Sequence, residues 1–125
     1  MMKEILFKGK RVDNGKWTEG YFFKSWDKVF LLWGMTGDCP NMEEVIPETV
    51  GQYTGLNDKN GKKIFEGDIL LKGFEKVLVK WNANQCRWGI YSNNYEICGF
   101  NESTQGYFEV IGNIYDNSEL LEVQE

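Results

Sequence analysis

Lys76-Val77-Leu78-Val79-Lys80-Trp81 is the stretch on which the fold turns. Val77, Val79 and Trp81 alternate with Lys76, Leu78 and Lys80, the period of two that puts each set on its own side of a strand. Working outward, Ile64 to Leu71 is apolar except for a Glu66-Gly67-Asp68 centre, which predicts a bend or bulge before the strand resumes. On the other side, Asn82-Ala83-Asn84 is a polar turn, Gln85 to Tyr91 reads as a further strand, and Phe108 to Tyr115 as the last strong one. Val50 to Leu56 also alternates. Between it and Ile64 stands Asp58-Lys59-Asn60-Gly61-Lys62-Lys63, the sharpest turn in the chain, centred on Asn60-Gly61, a pair that tolerates positive φ. Tyr95 to Phe100 reads as another strand or an irregular lid, and Asp116 to Leu121 as one short helical turn. Short strands joined by tight turns must close on themselves or leave open edges, so the economical expectation is a small barrel, closed or partly open. Glycines at 67, 73, 89 and 112 suit its bends.

The first part is also β-rich. Val12-Asp13-Asn14-Gly15-Lys16-Trp17 carries an Asn-Gly hairpin signal after a short Ile5-to-Lys8 strand. Gly20 to Lys24 and Lys28 to Trp33 form a second pair around Ser25-Trp26-Asp27. Two glycines and Pro40 between Gly34 and Glu44 predict an irregular connector. The expected organisation is therefore an N-terminal β-hairpin-rich portion over 1–48 with that connector, and a barrel over 49–125. The expected class is mainly β, with at most short helical turns.

Composition bounds the function. The chain has 125 residues, 15% of them aromatic, and a net charge of −5 with no histidine. An acidic balance lowers the expectation of general nucleic-acid binding, because it offers no attraction to a phosphate backbone. Cys39, Cys86 and Cys98 are odd in number and widely spaced, which argues against a disulfide framework or a zinc site. Cys86 and Cys98, in β-like segments, are expected as buried thiols. The opening Met1 to Lys8 lacks a long apolar core and runs into Lys8-Gly9-Lys10-Arg11, so no signal peptide is expected there. The longest apolar run, Val29 to Trp33, is far short of a membrane span. The expectation is a cytoplasmic, reduced protein.

Tests for chemistry are negative. Gly55 to Gly61 is one residue too long for a phosphate loop, and Lys63 stands where Ser or Thr is needed. Counting from Asp58, a calcium loop fails at its sixth and twelfth positions, Lys63 and Ile69. Glu66 and Asp68 would share a face of a regular strand, where paired carboxylates can do acid–base work. The better reading is a turn in which the carboxylates accept backbone amides and fix a bend. No catalytic residue, metal ligand or cofactor is assigned, and the chain is not expected to be an enzyme.

Val45-Ile46-Pro47-Glu48-Thr49-Val50-Gly51-Gln52-Tyr53-Thr54-Gly55-Leu56, then Asp58 to Ile69, then Phe108-Glu109-Val110-Ile111-Gly112-Asn113-Ile114-Tyr115-Asp116-Asn117 with Glu119-Leu120-Leu121, resemble the YopX family of phage and prophage proteins. The resemblance implies an SH3-like barrel in the C-terminal half, a smaller β portion before it, and a phage or prophage origin in a bacterial host. It implies no activity. The turn and motif residues it singles out are Asn60, Gly61, Glu66, Gly67, Asp68, Gly112 and Asn113.

Two accounts of function follow. In the first, the chain is an accessory protein acting through protein–protein contacts or self-association. Its motives are the acidic C-terminal stretch and the apolar Val29-to-Trp33 segment, taken as an exposed strand edge. In the second, exposed Trp81, Trp88, Tyr91 and Tyr95 beside Lys76, Lys80 and Arg87 form a platform for single-stranded nucleic acid, the rings stacking on bases and the cations meeting phosphate. A carboxylate-based enzyme is the remaining alternative.

Overall fold

The computed structural model describes residues 4–121. Contacts divide the chain into two compact units between Tyr53 and Thr54.

In the first unit, β1 (Phe7–Lys10), β2 (Trp17–Ser25), β3 (Lys28–Thr36), β4 (Cys39–Val45) and the start of β5 (Gly51–Asn57) hydrogen-bond in the order β4-β3-β2-β1-β5. All the pairings are antiparallel. Asn14 and Gly15 (φ 71°) make the first turn: the Gly15 N–H donates to Arg11 O at 3.0 Å, and the Lys16 N–H to Asn14 Oδ1 at 2.9 Å. Val29, Leu31 and Val45 are the buried core, with Phe7 and Val50 packed on it. Gly9 leaves the room that Val45 fills, since a Cβ there would lie 3.1 Å from that side chain.

The expected irregular connector is instead a hairpin. β3 runs to Thr36, turns at Gly37 (φ 63°) and Asp38, and returns as β4. Pro40 is compatible with a strand here because β4 is the outer strand of the sheet, where a missing N–H breaks no ladder. Gly34 faces Asn41 beside a bulge between Leu32 and Gly34.

In the second unit, the end of β5 and β6 (Lys63–Phe65) flank the Asn60-Gly61 turn. A five-stranded antiparallel sheet follows in the order β10-β9-β8-β7-β11, from β7 (Asp68–Lys72), β8 (Glu75–Asn82), β9 (Arg87–Ser92), β10 (Tyr95–Gly99) and β11 (Glu109–Asn113). Helix among the described residues is limited to single 3-10 turns at Pro47–Thr49, Gln105–Tyr107 and Ser118–Leu121.

The expected SH3-like barrel is not formed. Among the described residues β10 pairs only with β9 and β11 only with β7, so the sheet stays open. Its apolar face is sheltered another way. Leu70, Val77, Val79 and Ile90 are covered by Ile64 of β6 and by Phe100 and Phe108, which bracket the connection from β10 to β11. Those two rings meet edge to face with centroids 5.7 Å apart. Each such side chain contributes roughly 1.5–3 kcal/mol on burial, so a lid of this kind removes the need for closure. Both outer strands also carry a register shift, between Glu96 and Cys98 and between Val110 and Gly112, which breaks up the open edge.

Candidate functional site

The alternation along β8 sets the second unit's two faces. Val77 and Val79 enter the core, while Lys76, Leu78 and Lys80 take the opposite side. The register Leu78↔Tyr91, Lys80↔Gly89 and Asn82↔Arg87 puts Tyr91 and Arg87 with the lysines. Trp81 pairs with Trp88 on the core side, their rings 5.1 Å apart and edge to face, and Trp88 packs on the core. Tyr95 begins the outer strand β10, exposed opposite Ser92. The platform expected from sequence is thus divided: Lys76, Lys80, Arg87 and Tyr91 share a face, and Trp81 and Trp88 lie on the other.

On the shared face, Lys80 Nζ sits 4.9 Å from the centre of the Tyr91 ring. A cleft of about 210 Å³ opens there, lined by Lys76, Leu78, Lys80, Tyr91, the Ser92-Asn93-Asn94 turn and Leu121. Arg87 is engaged elsewhere, ion-paired to Glu96, which also accepts from Asn82 Nδ2 at 2.6 Å. Those two donors hold the Glu96 carboxyl below the usual range.

The motif residues form a structural knot. Gly67 (φ 90°) makes the bend between β6 and β7; its N–H donates to Val79 O at 2.9 Å and its carbonyl accepts from the Ile114 N–H at 3.0 Å. Asp68 is buried and its Oδ2 accepts the Phe65 N–H at 2.8 Å. Glu66 lies in the turn, outside β6 and β7, so the two carboxyls do not share a strand face. Tyr115 packs over Gly67; burial, followed by the charge of Glu66, raises its phenol pKa. Asn113 Oδ1 accepts the N–H groups of Tyr115 and Asp116, each at 3.0 Å. Its own N–H donates to Asn117 Oδ1 at 3.2 Å, directly against Gly112. At the Asn60-Gly61 turn, Gly61 has φ 83° and the Asn60 N–H donates to Asp58 Oδ1. Among the described residues, no three Cys, Asp or Glu side chains are grouped to hold a metal ion.

The first unit carries a surface that the sequence reading missed. The pairs Tyr21↔Leu32↔Met42 and Phe23↔Phe30 place five apolar side chains on the sheet face opposite the Leu31 core. Tyr21 is 64% exposed, Phe23 48% and Met42 43%. The signal was present in the Tyr21/Phe23 and Phe30/Leu32 spacing, but only strand pairing joins the two halves. Trp26, at the tip of the β2–β3 hairpin, is 94% exposed with φ 60°. The Val29-to-Trp33 segment is not an exposed edge: β3 is paired on both sides, and β4 is the outer strand.

The family model described as YopX protein matches residues 27–122. The chain belongs to the YopX family. The matched stretch takes in β3 and β4 as well as the whole described sheet of the second unit. The solved structure of protein EF1440 from Enterococcus faecalis is similar in fold, with a TM-score of 0.60 at 24% identity, over 97% of this chain and 100% of that one. No curated protein matches the chain. Among the described residues, no helix is long and apolar enough to cross a membrane.

Proposed function

We propose that this YopX-family chain works as a protein-contact module, and that its docking surface is the aromatic face of β2, β3 and β4. The carrying observation is the cross-strand set Tyr21, Phe23, Phe30, Leu32 and Met42, contiguous and uncharged at its centre. Contiguous apolar surface enriched in aromatics and Met, rimmed by charge, is the composition of an interface core. The occupant in this reading is a second copy. Lys8 and Lys10 on β1 and Glu44 on β4 add charge to the same face, Lys10 and Glu44 being brought side by side by the Ile46 N–H to Lys10 O bond at 2.8 Å and the Val12 N–H to Glu44 O bond at 2.9 Å. Face-to-face stacking about a two-fold axis sets the aromatic set of each copy against that of the other, the self-complementary contact a two-fold dimer uses. The chain then acts by binding and not by catalysis, a reading supported by the backbone-fixing role of Asp68.

Sedimentation velocity at tens of micromolar is the test. A dimer that the Tyr21→Ser/Phe23→Ser double substitution converts to monomer supports the reading. A wild-type monomer, or a dimer indifferent to the double substitution, overturns it.

A further inference from the structure

We infer that the cleft over the outer face of β8 and β9 is a binding site for a phosphate monoester of a small planar or apolar group, the chemistry of a mononucleotide or of the 5′-phosphorylated end of a strand. Three features of its wall converge on that class. Lys76 and Lys80, four residues apart on the same side of β8, supply two ammonium groups to the lining, and among the described residues no acidic side chain lines the cleft. Ser92, Asn93 and Asn94 supply neutral donors and acceptors along a second side. Leu78, Leu121 and the Tyr91 ring supply apolar surface between them.

The turn makes this wall rigid. Asn93 (φ 53°) and Asn94 (φ 69°) both occupy the left-handed region, the pattern of a two-residue hairpin turn between β9 and β10. Their side chains are therefore presented from a fixed backbone. Asn is among the few residues that adopt this conformation readily, so the turn contributes two asparagines to the cleft lining with little strain. The Lys80 ammonium over Tyr91 is held by the ring quadrupole, so its position is partly set before a ligand arrives. Arg87, on the same face, is neutralised by Glu96 and stays outside the cleft lining. The cleft of about 210 Å³ has room for one phosphate with a modest appendage. The inference is independent of the aromatic face of the first unit.

Calorimetry and amide chemical-shift mapping on the full chain, at low salt, test it. The probes are a nucleoside monophosphate, its unphosphorylated nucleoside, inorganic phosphate and a 5′-phosphorylated oligonucleotide. The expected result is that the monophosphate binds and shifts Ser92 to Asn94, while the nucleoside does not bind. The Lys76→Ala/Lys80→Ala double substitution is expected to weaken it about tenfold or more, the worth of about 1.4 kcal/mol. Both lysines lie outside the core, so the variant keeps its fold, checked by circular dichroism. Binding of the oligonucleotide end equal to that of the free monophosphate assigns the strand terminus as a source; binding of the monophosphate alone assigns a free metabolite. No binding of any phosphorylated probe, binding untouched by the double substitution, or shifts confined to other residues overturns the inference.

Discussion

The Asp58 carboxylate accepts the backbone N–H of Val110 at 3.0 Å, tying two segments that lie 52 residues apart in the chain. Its other oxygen accepts the N–H groups of Asn60 and Lys62, each at 2.9 Å. One buried side chain therefore both shapes the Asn60-Gly61 turn and fastens it to β11. The bond from the Lys59 N–H to Phe108 O, at 3.0 Å, runs alongside. Asp58→Asn keeps one acceptor oxygen but sets an NH₂ group against one of these donors. The expected loss is about 1–3 kcal/mol, the cost of leaving a buried amide unmatched. Urea denaturation measures it, and a loss below about 0.5 kcal/mol would show the carboxylate to be dispensable.

The same group makes stability depend on pH. Burial alone would raise the Asp58 pKa, but the amides of Val110, Lys62 and Asn60 outweigh it and the net shift is downward. A carboxyl depressed in the folded state stabilises it at every pH above the unfolded value of about 3.9, and that contribution is lost as pH falls through the folded value. The wild type should lose stability below about pH 4, and Asp58→Asn should show a shallower acid slope. Parallel acid slopes would assign the dependence to other carboxyls.

Gly112 lies beneath the Asn117 side chain, and a Cβ built there falls 2.5 Å from Asn117 Oδ1. That oxygen is the acceptor for the Asn113 N–H. Gly112→Ala should therefore displace Asn117 and release the turn that closes β11, at a cost of about 1–3 kcal/mol. Asn117→Ala removes the obstruction together with the bond. Gly112→Ala placed on that background should cost less than it does alone, a coupling read by a double-mutant cycle.

Local turn chemistry was legible in the sequence, and so was the alternation of β8 that puts Val77, Val79 and Trp81 on one side. Asn14-Gly15, Asn60-Gly61 and the bend at Gly67 each follow from residues that accept positive φ, and all three are where the spacing predicts. Closure was not legible. Whether a sheet becomes a barrel depends on what else covers its apolar face, and Phe100 and Phe108 do so from a mostly polar segment with no period to read. The Gly34-to-Glu44 stretch misled because Pro40 forbids a central strand but not an outer one. The division of the aromatic platform has the same origin: Trp81 and Tyr91 are both aromatic, yet the register across β8 and β9 sends them to opposite faces. The Asp58–Val110 bond has no sequence signal, because nothing local links the two positions.

The cysteines give a direct chemical check. All three are unpaired; Cys39 and Cys86 are exposed and Cys98 is partly buried against the core. The expectation of a buried Cys86 fails because that residue ends the turn before β9 in the left-handed region, with φ 52°. Titration of the native protein with an aromatic disulfide should show two fast thiols and one slow one, since limited access slows the reaction of the partly buried Cys98. Three equal rates would mean that Cys98 opens to solvent as readily as the others.

Trp26 combines near-complete exposure with φ 60° at the first of two residues joining β2 to β3. For a non-glycine residue that backbone costs about 1–2 kcal/mol, and the indole gains little packing in return. Glycine removes the penalty while adding about 0.5–1 kcal/mol of unfolded-state entropy. Trp26→Gly should therefore leave the melting temperature unchanged or raise it slightly. A drop of more than about 1 kcal/mol, large against ordinary surface substitutions, would show that the ring packs on its own hairpin. If stability holds, the ring is free for an outside contact, and it stands on the hairpin that carries Tyr21 and Phe23. The same variant should then weaken self-association in sedimentation, because a rigidly presented aromatic is the kind of residue that anchors an interface. Unchanged association with unchanged stability would separate the hairpin tip from the docking face and confine the interface to the strands.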